Sequence, residues 1–113
     1  MSVHYSKDSL REVAGGDEDF MVILAQTFLQ EIPLDLAALE EAVENENREL
    51  AYQFSHKMKP NLEMFGIEVQ KDITNIENWT KSSKKKSSIA GNIENLIEVL
   101  TNVFQELKED FSE

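Results

Sequence analysis

Apolar residues recur every three or four positions along most of this chain, and no long stretch alternates apolar with polar residues. The first pattern places apolar side chains on one face of a helix, whereas alternation would place them on one face of a strand. Only four glycines and two prolines interrupt the pattern. The sequence therefore predicts an all-α fold. Several amphipathic helices with short connections predict an antiparallel four-helix bundle with an additional short N-terminal helix.

Capping and turn residues predict where the first helices begin and end. A short helix is expected from about Ser6 to Ala14, closed by the glycine pair at 15–16, because glycine adopts the left-handed conformation at low cost. Asp17 is expected to cap the next helix. Pro33 predicts a break or kink just before it and the start of a third helix. The residues expected to face the core on either side of this break are Phe20, Ile23, Leu24, Thr27, Phe28, Ile32, Leu36, Leu39 and Val43.

The second half of the chain predicts three more helices. Asn47 is expected to cap a helix over 48–65 that Gly66 closes, and a further helix is expected over about 67–81. The polar stretch "SSKKKSS" predicts a loop before the last helix, and one of its last two serines is the expected cap of that helix. A continuous apolar stripe follows, formed by Ile93, Leu96, Ile97, Leu100, Val103, Phe104 and Leu107.

The length and the N-terminal sequence predict one domain, residues 1–113, in the cytoplasm. The chain has no cysteine, and its first residues, "MSVHYSKDSL", lack the apolar stretch of a secretory signal. The longest uninterrupted apolar run, "FMVILA", is far shorter than the about 20 residues that a membrane span needs. His4 is expected to lie in a mobile terminal segment.

Acidic residues outnumber basic residues, 22 to 11, so the net charge is −11. Such a charge repels nucleic acid and anionic membranes, and neither is an expected partner. Six of the cations are nevertheless grouped, so the field around residues 57–59 is expected to be far less negative than the average. These cations are Lys57, Lys59, Lys81, Lys84, Lys85 and Lys86.

One histidine, His56 in "FSHKMKPNLEMFG", is expected to point away from the core. At about 100° per residue, Phe54, Met58 and Phe65 fall on the opposite side of the helix. A lone histidine on a helix is most often an ordinary surface residue. Lys59, one turn further on, can however place its ammonium beside an anion attached to the ring.

Proline at position 60 predicts a local distortion next to His56. Its nitrogen cannot donate to the His56 carbonyl, and an interior proline costs about 3 kcal/mol or more unless the helix bends. The distortion is either a tolerated kink or a feature that shapes the surface beside the histidine, and the sequence leaves both interpretations open.

The stretch from His56 to Gly66 resembles the signature of histidine-containing phosphotransfer domains. That signature is a histidine, any residue, an apolar residue, lysine and glycine, with an apolar residue and a second glycine nine and ten positions after the histidine. The matching residues are His56, Met58, Lys59, Phe65 and Gly66. The upstream "GGDEDFMVILAQTFLQEIPLDLAALEEAV" is similar to the preceding helices of the family, including the position of Phe28. The resemblance covers roughly residues 10–110. The sequence differs from the family pattern at Pro60, where glycine is usual, and at Glu63, where a small residue is common.

The resemblance implies a carrier of phosphoryl groups rather than an enzyme. His56 would accept a phosphoryl group from the aspartate of a response-regulator receiver domain, including that of a hybrid histidine kinase, and pass it to another receiver. Lys59 and Lys57 would stabilise the phosphoryl oxygens. The chain would need no cofactor or metal of its own, because Mg²⁺ would be held by the receiver. The family is often monomeric, so a monomer is expected.

Docking of a receiver requires an exposed surface with apolar groups near the histidine. On the histidine's own helix we expect Tyr52, Gln53, Pro60, Glu63 and Met64 to belong to this surface. On the second helix the candidates lie off the main predicted buried stripe, and core packing is the alternative for each of them. They are Met21, Val22, Ala25 and Leu29.

Two other functions fit an acidic helical protein. A metal-carboxylate bundle needs Glu-x-x-His on paired helices with the side chains inward, but Gln53 precedes His56 by three and the histidine is expected to point outward. An interaction module would dock on a receiver or another helical protein without accepting phosphate, and Pro60 and Glu63 favour it. No nucleotide-binding loop, nucleophile elbow or zinc motif indicates a conventional kinase or hydrolase.

Overall fold

The computed structural model describes residues 4–111, and every regular element in that range is helical. The all-α prediction is therefore confirmed for the described residues. A single turn of 3-10 helix, Lys86–Ile89, precedes the last α-helix. The five α-helices are α1 Lys7–Val13, α2 Glu18–Glu44, α3 Arg48–Met64, α4 Gln70–Thr80 and α5 Ala90–Asp110.

Side-chain caps begin the first three helices. Ser6, Asp17 and Asn47 each accept a hydrogen bond from the backbone N–H three residues later. The predicted caps at positions 17 and 47 are thus confirmed. The predicted serine cap of α5 is wrong, because the chain enters α5 through the 3-10 turn and Ile89 stands at its N-cap without a side-chain hydrogen bond. Burial of Ile89, which is 3% exposed, anchors this end of the helix instead.

Helix α2 continues through Pro33 without interruption, so the predicted third helix starting there is wrong. Its 27 residues span about 40 Å. Proline removes one backbone hydrogen bond, and burial of Ile32 and Leu36 on either side of it holds the helix together. Within the described range, α2 is also the one helix long and apolar enough to cross a bilayer, with a mean hydropathy of 1.3 over 18 residues. The core helix of a soluble protein passes the same test.

The four long helices contact one another in a closed cycle. Helix α3 packs against α2 and α4, and α5 packs against α4 and α2, while the short α1 crosses α2 and α3. The described protein measures 45 × 21 × 20 Å, so it is about as long as α2 alone. The core lies along the axis of this cycle, and the Phe28 and Phe65 rings meet there with centroids 4.4 Å apart.

The first half of α2 is rotated relative to the predicted orientation. Phe20 and Ile23, expected in the core, are 41% and 55% exposed, and Thr27 is exposed as well. Met21 and Ala25 are buried instead, at 2% and 0% exposure. The run "FMVILA" is apolar on every side of the helix, so periodicity does not select a face there, and packing against the rest of the protein does.

The first described residues are bound to α5, so the expectation of a mobile segment around His4 is wrong for that residue. The backbone N–H of His4 donates to Glu106 Oε1 at 2.9 Å, and its ring contacts the same carboxylate. The hydroxyl of Tyr5 donates to Asp110 Oδ2 at 2.7 Å. These contacts carry the chain past the end of α3, where Ser6 N–H donates to the Phe65 carbonyl at 2.8 Å.

Gly66 closes α3 in a position that excludes a larger residue. Its φ is +63°, and a Cβ there would lie 2.6 Å from the Cβ of Ser6. Gly16 also has a positive φ, +82°, but a Cβ there would meet no atom within 4 Å.

We expect Gly66→Ala to lower the free energy of unfolding by about 3 kcal/mol and Gly16→Ala by about 1 kcal/mol. Both variants strain the backbone, but only the first also forces the N-terminal segment away from α3. Urea denaturation followed by circular dichroism measures both values. Equal losses would show that the close approach to Ser6 costs nothing.

Arg48 fixes the connection between α4 and α5. Its Nη1 donates to the carbonyls of Trp79 and Ser82 at 2.8 and 3.1 Å, and its Nη2 donates to the carbonyl of Lys84 at 2.7 Å. The guanidinium also lies 4.2 Å from the centre of the Trp79 ring, and the indole N–H donates to the Lys84 carbonyl at 2.9 Å. The loop is therefore held by α3 as well as by its own helices.

Replacing Arg48 with alanine should lower the free energy of unfolding by about 2 kcal/mol, because three carbonyls lose a charged donor and the ring loses a stacked cation. Arg11→Ala is the control, since that arginine is exposed and, within residues 4–111, its one ion pair is with the fully exposed Asp8 at 3.5 Å. Its loss should stay within about 0.5 kcal/mol. Thermal and urea unfolding of both variants test the difference, and a similar loss in both would contradict the role given to Arg48.

Candidate functional site

His56 lies on α3 at the seam between α3 and α4, and its side chain is 66% exposed. The outward orientation predicted from helical phase is therefore seen in the structure. The ring Nδ1 lies 3.1 Å from Glu77 Oε2 on α4. On the other side the ring stacks on Tyr52, with centroids 5.5 Å apart and planes at 13°. These two contacts hold the orientation of the ring.

The other oxygen of Glu77 accepts a hydrogen bond from Lys59. The distance from Lys59 Nζ to Oε1 is 2.8 Å, so one carboxylate bridges the histidine and the lysine. The Glu77 side chain is 12% exposed and the Lys59 side chain 32% exposed. The three side chains form a compact group, which we call the His56–Glu77–Lys59 cluster.

Opposing effects act on the pKa of Glu77, and the net result is a lowered value. Burial is the largest single effect and raises this pKa, but the hydrogen bonds from Lys59 and His56 and their charges together outweigh it. The pKa of Lys59 is raised, first by its hydrogen bond to Glu77, against a smaller opposing effect of burial. Both groups are therefore ionised at neutral pH.

An ionised carboxylate accepts hydrogen bonds but cannot donate them. A neutral His56 ring that binds Glu77 through Nδ1 therefore carries its proton on that nitrogen and keeps the lone pair on Nε2. None of the residues 4–111 forms a hydrogen bond to Nε2. The cluster thus presents a nucleophilic nitrogen on a largely exposed ring.

Lys57 is directed to a different neighbour from Lys59. Its Nζ lies 3.1 Å from Asp35 Oδ1 on α2, whereas Lys59 reaches α4. Asp35 is only 5% exposed, and its Oδ2 has no hydrogen-bond partner in the described part of the chain. The structure therefore brings Lys59, but not Lys57, to the carboxylate that holds the histidine.

The residues expected to form the docking surface divide into two groups. On α3, Gln53, Pro60 and Glu63 are exposed, and Tyr52 and Met64 are half-buried, so all five reach the surface of the histidine's helix. On α2, Val22 and Leu29 are half-buried. Met21 and Ala25 are core residues, and their expected place on an exposed surface is wrong because the first half of α2 is rotated.

Exposed leucines lie near the same helix and were not predicted as surface residues. Leu34 on α2 is 72% exposed and Leu50 on α3 is 41% exposed. Leu50 lines a groove between the two helices with Ala38, Glu41 and Phe54. This groove lies on the α2 side of α3, whereas His56 lies on the α4 side.

Glu77 is the residue of the candidate site that the sequence did not predict. It follows Ile76, one of the apolar residues of the predicted helix over 67–81, and nothing in its local sequence distinguishes it from the other acidic residues. The one sequence feature that could have indicated Glu77 is its position directly after Ile76, at the edge of the buried face of α4. The register between the two helices is needed to pair it with His56.

No group of three or more histidine, aspartate or glutamate side chains comes together as a metal site within residues 4–111. Comparison of the chain with protein-family models, with curated proteins and with solved structures finds no match. The assignment of a function therefore depends on the geometry of the cluster and on the sequence pattern around it.

The lowered pKa of Glu77 gives a stability that depends on pH. A folded-state pKa below the ordinary value of 4.5 means that ionised Glu77 stabilises the fold above about pH 4.5, and that this contribution is lost as the pH falls through the lowered pKa. Glu77→Gln should therefore be less stable than the wild type by about 1 kcal/mol at pH 7, and the gap should be smaller at pH 3.

Urea denaturation at both pH values measures this gap, with Glu94→Gln as a control for an exposed glutamate on α5. The control should show little change at either pH. A gap for Glu77→Gln that is as large at pH 3 as at pH 7 would mean that the loss has another cause than the ion pair.

Proposed function

We propose that this chain is a phosphorelay carrier, and more specifically a histidine phosphotransfer protein of a two-component system. His56 would accept a phosphoryl group from the aspartate of one receiver domain and deliver it to the aspartate of another. The observation that carries the proposal is the exposed His56 ring, held at Nδ1 by a carboxylate that also binds Lys59. Within this proposal α2 to α5 form an antiparallel four-helix bundle, which their cyclic packing supports.

The proposed step uses the lone pair on Nε2. The lone pair attacks the phosphorus, and the bond from phosphorus to the aspartyl oxygen breaks with its electron pair left on the donor carboxylate. The Nδ1 proton stays in place, so the phosphorylated ring carries a positive charge that the Glu77 carboxylate stabilises. In the return step an oxygen of the second receiver's aspartate attacks the phosphorus and forms the new P–O bond. The N–P bond breaks with its electron pair going back to Nε2, and the neutral ring is restored.

Lys59 would neutralise charge on the transferred group. An ammonium has three N–H donors, and Glu77 takes one of them, so the others remain for phosphoryl oxygens. Phosphoryl transfer depends mainly on positioning and charge stabilisation, and the ion pair with Glu77 keeps Lys59 beside the ring before a partner arrives. Lys57, held by Asp35, would contribute only to the field at longer range.

The remaining chemistry would come from the partner. The chain would act as a carrier rather than a turnover enzyme, with no cofactor of its own, and the Mg²⁺ ion would be held by the receiver. The proposed partners are response-regulator receiver domains, including those of a hybrid histidine kinase. A monomer in the cytoplasm fits this use.

A second candidate is an interaction module that binds a receiver without accepting phosphate. The observation that favours it is the engagement of both His56 and Lys59 by Glu77, which leaves the lysine paired before any anion arrives. Pro60 and Glu63 also stand on the surface where the family has smaller residues.

Transfer from a panel of receiver domains that carry radioactive aspartyl phosphate distinguishes the two candidates. Wild-type protein should acquire acid-labile, base-stable label, and His56→Gln should acquire none. Lys59→Ala should slow transfer by about a hundredfold while its melting temperature changes by only a few degrees.

Lys71→Ala is the matched control, because this exposed lysine lies in the first turn of α4 and has no role in the cluster. It should transfer like the wild type. Binding of receivers without any labelling of the wild type would replace the carrier proposal with the interaction module. Labelling of His56→Gln would remove His56 as the acceptor.

A further inference from the structure

Two segments of this acidic chain contain no acidic residue. Residues 50–62 and 78–93 hold six of the eleven cations and none of the 22 carboxylates, so their net charge is +6. The rest of the chain carries the other five cations and all of the acidic residues, a net charge of −17. The charge is therefore strongly divided along the sequence.

The fold brings these two segments together along the first part of α3, next to Tyr52. Arg48, just before the first segment, donates to three backbone carbonyls of residues 79–84 in the second. The ammonium of Lys81 lies 4.9 Å from the centre of the Tyr52 ring, and Tyr52 stacks on His56. We call this region the cationic face. It comprises Tyr52, His56, Lys59 and Lys81, together with the adjoining anchored loop whose residues include Lys84 and Lys85.

Three lysines of the cationic face have no ion-pair partner. Lys81, Lys84 and Lys85 are exposed, and no described carboxylate oxygen lies within 4.0 Å of their ammonium groups. The other lysines of the two segments are paired: Lys57 with Asp35, Lys59 with Glu77, and Lys86 with Glu44. Among the described residues of the two segments, the lysines without an ion pair therefore all lie within residues 81–85.

The backbone that presents these lysines is held in place. The carbonyl of Lys84 accepts from both Arg48 and the Trp79 indole, and Ile89, the last residue of the following 3-10 turn, is buried in the core. An ordered loop loses less conformational entropy on binding than a flexible one. The lysines are thus presented as a preorganised surface rather than as a free tail.

We propose that the cationic face docks on an acidic surface of a partner protein and steers that surface to His56. The identity of the partner rests on the proposed function, because carboxylates that bind a divalent cation and receive a phosphoryl group form such a surface. Opposite charges across an interface raise the association rate and fix the orientation of docking.

A protein fits this face better than a polymeric anion or a membrane. The α3 part of the face, residues 50–62, is only about 18 Å long. The rest of the chain carries a net charge of −17, which repels the phosphates of a nucleic acid or a plane of anionic lipids. A compact acidic patch can contact the face without spanning the rest of the chain.

The first test measures transfer rates between phosphorylated receiver domains and two double variants. Lys84→Gln with Lys85→Gln should lower the second-order rate constant about tenfold at 25 mM NaCl. The difference should vanish at 1 M NaCl, where the Debye length is about 3 Å. Lys71→Gln with Lys108→Gln makes the same change in charge on exposed positions of α4 and α5 and should have little effect. Equal losses in the two double variants would overturn the steering role.

The second test does not depend on transfer. Poly-L-glutamate of about 15 residues, added to the full-length ¹⁵N-labelled protein at low salt, should shift the amide signals of the cationic face and leave those of α5 unchanged. An oligothymidylate of equal charge and phosphatidylserine vesicles should bind at least tenfold more weakly. Equal or tighter binding of either, or no binding of poly-L-glutamate, would overturn the inference. Binding of poly-L-glutamate to this face, with no transfer to His56, would remove the proposed function and keep the docking surface.

Discussion

Burial of one face of α3 between its neighbours is the constraint on which the site depends. Ala51, Ser55, Met58 and Leu62 are at most 1% exposed, and the one polar member, Ser55, donates its hydroxyl hydrogen to a backbone carbonyl of its own helix. Because an α-helix repeats every 3.6 residues, burial of this face sets the direction of every other side chain on α3. His56 must then lie at the surface, and its angular position places it at the seam with α4.

The two seams of α3 carry Lys57 and Lys59 to different acids. The α2 seam pairs Lys57 with a buried aspartate, and the α4 seam pairs Lys59 with Glu77. Helical spacing places Lys59 one turn from His56 and Lys57 about 100° round the helix, but it does not say which acid each lysine meets. Only Glu77, at the α4 seam, contacts both a lysine and the His56 ring. The α4 seam therefore brings together the ring, the carboxylate that sets its tautomer and the ammonium of Lys59.

Charge organises the surface on a larger scale than the cluster. Within residues 4–111 of a chain with a net charge of −11, three lysines in and next to the loop that Arg48 anchors form no ion pair. In the proposed function, the cluster would supply the reactive nitrogen, and the cationic face would select an acidic surface to meet it.

The sequence by itself determined the all-α class, the caps at Asp17 and Asn47, and the exposure of His56, because these follow from helical period and from contacts within a few residues. Only the tertiary structure decided that α2 runs through Pro33, that Met21 and Ala25 are core residues, and that Glu77 holds the histidine. A helix that contains proline persists when packing on both sides offsets the missing hydrogen bond. The run "FMVILA" is apolar on every side of α2, so packing against neighbouring helices decides which of its faces is buried. A carboxylate twenty-one residues from the ring in sequence becomes its partner only through the register of two packed helices, which local spacing does not encode.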